Sequence, residues 1–262
     1  MNDTNGLFDG TPFTGVFDGN DHTISRLTIN GEDWLGLFGQ FGCWYPPPAG
    51  EVKNLRVADV NIAGSGWFVG GLAGENWGIV TQCYSTGALS GLSNVGGLVG
   101  LNGASVTQSC SAAAVNGGQG VGGLVGDNNT GGVTQCYSSG AVNGTDGVGG
   151  LVGWNYAQVT NCYSIGAVRG AESDVGGLVG ANYSSEGGCV TFSFWDTQTS
   201  GQTTSAGGTG KTTAEMQTAS TFLEAGWDFV GETANGTEDI WWILEGQDYP
   251  RLWWESGDGA SP

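Results

Sequence analysis

Positive charge is scarce in this 262-residue chain: 6 Lys and Arg stand against 25 Asp and Glu, a formal net charge of −19. Nucleic-acid binding needs clustered cations to displace counterions, and six scattered ones cannot supply that. The same shortage argues against an anionic membrane surface as a partner. Histidine is nearly missing, with His22 the single copy, which leaves any cysteine nucleophile in the later part of the chain without its usual base. No apolar run approaches the roughly 20 residues that span a bilayer, so no membrane insertion is expected. Residues 1–10 show no basic stretch followed by an apolar one, so no signal peptide is visible in this chain.

Glycine is what the chain has in excess: 52 residues, about 20% against an ordinary level of roughly 7%. No three-residue register runs through them, which excludes collagen. Eleven Trp, ten Phe and seven Tyr supply enough apolar surface for a core and argue against disorder. The charge is unevenly placed. Residues 67–194 hold only 6 acids and 1 base, whereas residues 195–262 hold 11 and 2. A nearly neutral middle with acidic ends suggests a stack with caps.

The glycines fall in a repeat. Val69-Gly70-Gly71-Leu72-Ala73-Gly74 returns as VGGLVG at 95–100, 121–126, 148–153 and 175–180, and an asparagine follows each copy: Asn76, Asn102, Asn128, Asn155 and Asn182. A second block, Val80-Thr81-Gln82-Cys83-Tyr84-Ser85, also recurs, and a third short block such as Gly87-Ala88-Leu89 closes most copies. An earlier, longer copy starts at Trp34 and carries an insertion containing Pro46-Pro47-Pro48, and Phe13 to Ile29 looks like a degenerate first coil. Periods of 20–50 residues mark repeat architectures. This one lacks helix formers and long apolar stripes, and it breaks into short extended runs at Gly and Asn.

The expected fold is therefore all-β, a parallel β-helix or β-solenoid of six or seven coils, right-handed by the usual preference of parallel crossovers. A propeller blade would need about 40 residues or more. The asparagines are expected to stack as a hydrogen-bonded ladder. The paired glycines imply either positive φ or a tight backbone approach. The expected organisation is a degenerate coil or cap at 1–33, repeats at 34–195, a Trp-rich capping region containing a short α-helix at 196–255, and a linker or tail at 256–262.

The Gly-Leu-x-Gly core followed by Cys-Tyr-Ser resembles the GLUG repeat of bacterial surface and secreted proteins, and Tyr249-Pro250-Arg251-Leu252-Trp253 is similar to segments that follow such repeats. The resemblance spans roughly 34–195. It implies a secreted or cell-surface location, adhesin-like roles, or an accessory region of IgA-cleaving metallopeptidases, whose repeats are not catalytic. The zinc motif His-Glu-x-x-His is absent, so no catalytic residue carries over.

Other strings imitate known sites and fail on spacing. Gly207-Gly208-Thr209-Gly210-Lys211-Thr212 resembles a P-loop, but Ser205 stands where the first glycine belongs. Thr212 and Glu215 instead read as the capping box of a helix over 213–224. Asp18, Asn20 and Asp21 are weak calcium candidates, more simply a turn, and no other cofactor is expected. Cys83, Cys136 and Cys162 share one repeat position, filled elsewhere by Ser109 and Ser193, which points to inward free thiols rather than a disulfide framework. Strand alternation then turns Tyr84, Tyr137, Tyr163 and Phe194 outward.

One edge collects acids and aromatics. Glu75, Asp127 and Trp154 lie just before the asparagines, with Trp77, Tyr156 and Tyr183 just after them. Flat rings and carboxylates are what a sugar-binding face requires. The reading favoured by the residues is a non-enzymatic extracellular module, a structural spacer or adhesin that binds carbohydrate or a host or cell-surface protein, with end-to-end self-association open to it. The alternative is a glycoside hydrolase on the same scaffold. Glu75 and Asp127, two coils apart with backbones about 9.6 Å from each other, would bring their carboxyls near inverting-enzyme spacing.

Overall fold

The computed structural model describes residues 10–44 and 50–256, so Pro46-Pro47-Pro48 and most of the 256–262 tail lie outside the described residues. Three parallel sheets wrap the repeats into a β-solenoid. Sheet I has six strands: Phe38–Gly42, Ala73–Trp77, Val99–Asn102, Val125–Asn128, Val152–Asn155 and Val179–Asn182. Sheet III has five: Trp67–Gly70, Ser93–Gly96, Gln119–Gly122, Asp146–Gly149 and Val175–Gly176. Sheet II takes the second and third sequence blocks of every turn, as in Glu51–Gly64 and Ile79–Ser90. Five turns have strands in all three sheets. Partial turns flank them, and Thr209–Lys211 adds a last rung on Phe194–Asp196.

The sharpest corner divides the VGGLVG block itself, with sheet III ending at the first glycine and sheet I starting after the leucine. Close approach, not positive φ, demands the double glycine. A Cβ on Gly122 would stand 1.9 Å from the Val125 oxygen, and one on Gly123 would stand 2.1 Å from the Gly150 oxygen. The second glycine also faces a serine of sheet II across the interior: Ser85 Oγ donates to the Gly97 carbonyl at 2.7 Å. Within sheet II the left-handed conformation falls instead on Asn54, Gln82, Gln108, Gln135, Asn161 and Phe192, one equivalent position in each turn, with Asp59 as an additional case. Amide side chains tolerate that region better than most.

The interior is built of ladders. Val69, Val95, Val121 and Val148, the leucines 72, 98, 124, 151 and 178, and the valines 80, 106, 133 and 159 are buried in one core. Cys83, Cys136 and Cys162 point inward as free thiols, as expected. They work as acceptors between turns: Ser109 N donates to Cys136 Sγ, and Cys136 N donates to Cys162 Sγ, each at 3.4 Å. Ser109 and Ser193 fill the same place for Cys83 N and Cys162 N, each at 3.1 Å. The repeat therefore accepts either residue. The asparagine ladder is continuous, each Nδ2 donating to the next Oδ1 at 2.7–2.9 Å from Asn76 through Asn182.

One expectation needs correction and another needs completing. The helix over 213–224 is two short helices, α1 at Thr213–Met216 and α2 at Ala219–Leu223, although the Thr212–Glu215 capping box is present. The Tyr row does leave the solenoid outward, yet Tyr137 and Tyr163 are buried. The C-terminal region does more than close the end: it turns back along the flank and seals this row. Tyr137, Tyr163 and Phe194 join Met216, Phe222, Trp227, Phe229, Trp241 and Leu252 in a second core. An outward file of aromatics on one sheet is an apolar strip, and covering it removes that surface from water. Three polar tips are satisfied within the seam: Tyr137 Oη donates to Glu255 at 2.7 Å, Tyr163 Oη to the Pro250 carbonyl, and Trp254 Nε1 to the Gln108 carbonyl at 2.8 Å, whereas Trp241 Nε1 is buried with no hydrogen-bond partner among the described residues. Tyr249 Oη donates at 2.7 Å to Asp196, whose other oxygen caps the one-turn α-helix Thr197–Ser200.

Candidate functional site

The six residues singled out fall into two files along the rod. In sheet I, Glu75 pairs with Leu101, Leu101 with Asp127, and Asp127 with Trp154. Trp77, Tyr156 and Tyr183 lie at the corner that follows, where sheet I gives way to sheet II.

The first file is less open than the sequence suggests. Its side chains pack against the corner residues that begin sheet III. Asn94 Nδ2 donates to Asp127 Oδ2 at 3.0 Å, and Ser93 Oγ orients Asn94 at 2.7 Å. Where that corner is Gly120 and Gly147, the Trp154 ring fills the space, and a Cβ on Gly147 would lie 2.0 Å from its indole nitrogen. Asp127 is only 7% exposed, and its Oδ1 is buried with no hydrogen-bond partner among the described residues. Burial pushes its pKa up to about 7, against the pull of the Asn94 hydrogen bond. Glu75 is also raised by burial, while the Trp34 and Trp77 indoles beside it favour the ionised form; Trp77 Nε1 donates to it at 3.3 Å. Leu101 separates the two acids, and each already has its own local partner.

Asp127 gives a testable pH dependence. Its folded-state pKa near 7 lies above the ordinary value of 3.8, so the folded chain binds this proton more tightly than the unfolded chain. The carboxylate therefore costs increasing stability as pH rises from about 4 to about 7, and the cost is constant above that. Asp127→Asn is expected to stabilise by about 2–4 kcal/mol at pH 8 and by little at pH 4. Urea unfolding of both proteins at the two pH values checks this; equal differences at both would contradict it.

The second file is open. Trp77 lies across Gly103 and meets the Trp44 ring edge-on at 4.8 Å. Tyr156 and Tyr183 stack face to face, centroids 4.3 Å apart and planes within 3°. Beside them is a depression of about 550 Å³ lined by Asn129, Thr130, Gly132, Tyr156, Gln158 and Glu186. Because the preceding turn carries Asn129 at the tyrosine position, the depression opens beside Tyr156. Glu186, absent from the sequence reading, comes from a short 3-10 turn, Ser184–Glu186. Its signal was the stretched spacing: Thr160 and Thr191 are 31 residues apart where Cys136 and Cys162 are 26 apart.

The calcium candidates form a tight turn. Asp18 Oδ1 accepts from Asn20 N at 2.9 Å and from Asn54 Nδ2 at 3.0 Å, and the first of these bonds is the main reason the Asp18 pKa is lowered. Among the described residues no group of three or more His, Cys, Asp or Glu is placed to hold a metal ion. No helix among them is long and apolar enough to cross a membrane.

Comparison with known proteins agrees with this architecture. The GLUG motif matches residues 144–169, one full turn of the solenoid. Halomucin of Haloquadratum walsbyi is 36% identical over 93 residues, which is 35% of this chain and 1% of that protein. A candidate Gly-rich membrane protein of Evansella cellulosilytica is 42% identical over 64 residues, 24% of this chain and 6% of its own length. The chain thus spans a small fraction of these relatives. Among solved structures, a candidate immunoglobulin A1 protease from Bacteroides ovatus superposes with a TM-score of 0.68, covering 95% of this chain and 82% of that one at 20% identity. At that identity the likeness is one of fold. The chain is a parallel β-solenoid that carries the GLUG motif.

Proposed function

We propose that this chain is a non-catalytic extracellular or cell-surface module, a rigid spacer or adhesin that holds carbohydrate against the open face beside Tyr156. The observation that carries the reading is the stacked Tyr156–Tyr183 pair beside a 550 Å³ depression that also holds Glu186, Asn129 and Thr130. A tyrosine ring stabilised by a partner on one side is a preorganised platform for a pyranose face, and the carboxylate and amide can take its hydroxyls. The depression lies within the size range of ordinary small-molecule sites. The GLUG match, together with a relative named as a Gly-rich membrane protein, supports an extracellular setting. Continuous ladders from turn to turn make the repeats a stiff rod, as a spacer requires.

Electrophoresis through gels containing soluble polysaccharides tests the reading. The intact chain is expected to be retarded by at least one polysaccharide, and Tyr156→Ala is expected to restore free mobility while leaving the circular dichroism unchanged. Release of new reducing ends, abolished by Glu75→Gln, would replace this reading with a glycoside hydrolase. Retardation that persists in Tyr156→Ala would move the site elsewhere.

A further inference from the structure

The corner between sheets II and III carries a cavity outside both files. Asp33 and Trp34 on one turn lie over Trp67 and Phe68 on the next, with Trp34 N donating to the Trp67 carbonyl at 3.0 Å and Leu35 bridged to Val69. Trp34 and Phe68 both adopt left-handed backbone, φ 53° and 62°. Later turns fill this position with Asn94, Gly120 and Gly147, which accept that conformation far more readily than an aromatic does. Aromatics here go against local preference, a pattern typical of functional positions.

The three rings form walls. Trp34 and Phe68 are tilted by 34° with centroids 5.7 Å apart, and Trp67 stands at 87° to Phe68 at 6.1 Å. They enclose about 230 Å³ together with Gly66 and Asp33. Asp33 Oδ1 accepts the Trp67 backbone N–H, which holds the carboxylate against the cavity. Gly66 makes room for that carboxylate, since a Cβ there would lie 1.9 Å from Asp33 Oδ1. Trp67 is itself 53% exposed, so the cavity is reachable from solvent.

The geometry points to an organic-cation site at this corner, one that takes a quaternary or alkyl ammonium group between Trp34, Trp67 and Phe68 with Asp33 as its counter-charge. A pyranose needs a flat platform and several hydrogen-bonding side chains. This cavity has rings meeting at a right angle and one polar side chain, Asp33. A quaternary ammonium has no N–H to satisfy and is held by ring faces and a nearby negative charge. The lining contains no Lys or Arg, and the chain as a whole carries a net charge of −19, which favours a cation over a neutral ligand of the same shape.

Titration with tetramethylammonium and choline, followed by tryptophan fluorescence and by the indole N–H resonances, tests this site. Both cations are expected to bind saturably and to shift the Trp67 and Trp34 indole resonances. The uncharged carbon isostere of choline, 3,3-dimethyl-1-butanol, is expected to bind at least about tenfold more weakly, the loss of one cation–π contact with its counter-charge. Trp67→Ala should abolish saturation, and Asp33→Asn should weaken it several-fold, with Trp253→Ala as the exposed-tryptophan control. The resonance map on the unmodified chain keeps the test valid if a variant misfolds. Equal binding of the neutral isostere, an unsaturable response, or shifts confined to other tryptophans would overturn the assignment. Because this corner shares no residue with the depression beside Tyr156, either site can fail without the other.

Discussion

Gly123→Ala is expected to destabilise the solenoid by more than about 3 kcal/mol, while Gly132→Ala, only nine residues on in the same turn, leaves stability unchanged or raises it by up to about 1 kcal/mol. A methyl group on Gly123 would meet the Gly150 oxygen at 2.1 Å and Ser138 Oγ at 2.1 Å. The serine can rotate, but the carbonyl belongs to the next turn and cannot retreat without pulling two sheets apart. Nothing lies within 4 Å of the corresponding position on Gly132. Overpacking a close-packed interior ordinarily costs 1–3 kcal/mol, and a clash with backbone exceeds that range because rotamers cannot relieve it. Urea unfolding of the two variants beside the parent checks the contrast. A Gly123→Ala protein as stable as the parent would mean that the turns are not stacked in this register.

Trp227→Ala is expected to cost about 3–5 kcal/mol, felt in the flanking C-terminal region. Trp227 is fully buried, packs on Phe222 at 4.8 Å and on Trp241 at 4.7 Å, and donates its Nε1 to the Phe192 carbonyl at 2.9 Å. It also approaches Tyr163 and Phe194 of the outward row at 6.3 and 6.0 Å. Its removal leaves a cavity at the centre of the second core and loosens the cover over the tyrosines. The variant should bind a hydrophobic dye and become sensitive to proteolysis between 212 and 250, while the sheets of the repeat stay protected from hydrogen exchange. A loss below about 1 kcal/mol with unchanged proteolysis would mean that this region does not seal the flank.

Much of the solenoid was legible because its constraints repeat. Period, strand directions, asparagine ladder and inward thiols all follow from residues that return at the same place in every turn. What the sequence concealed lies where the pattern is broken or where distant segments meet. The double glycine could be read as a positive-φ site until the Gly150 carbonyl was seen opposite Gly123. Tyr137 and Tyr163 were correctly turned away from the solenoid, yet alternation within a strand says nothing about what covers its outer face, and that cover comes from residues 216–252. Asp127 looked like a surface acid because nothing in its own repeat announces that Asn94 reaches across from the previous turn. The Tyr156–Tyr183 stack was legible as two aromatics in one file; Glu186 was not, because it sits in an insertion that breaks the period.

The central functional claim is that a rigid, non-catalytic solenoid holds sugar against the free face of one tyrosine. A glycan array probed with the intact chain and with Tyr156→Ala tests it most directly. The account predicts a restricted set of glycans bound by the parent chain, no loss of bound glycan through cleavage on prolonged incubation, and loss of the set in the variant. No bound glycan at all, or the same set retained by Tyr156→Ala, would contradict it.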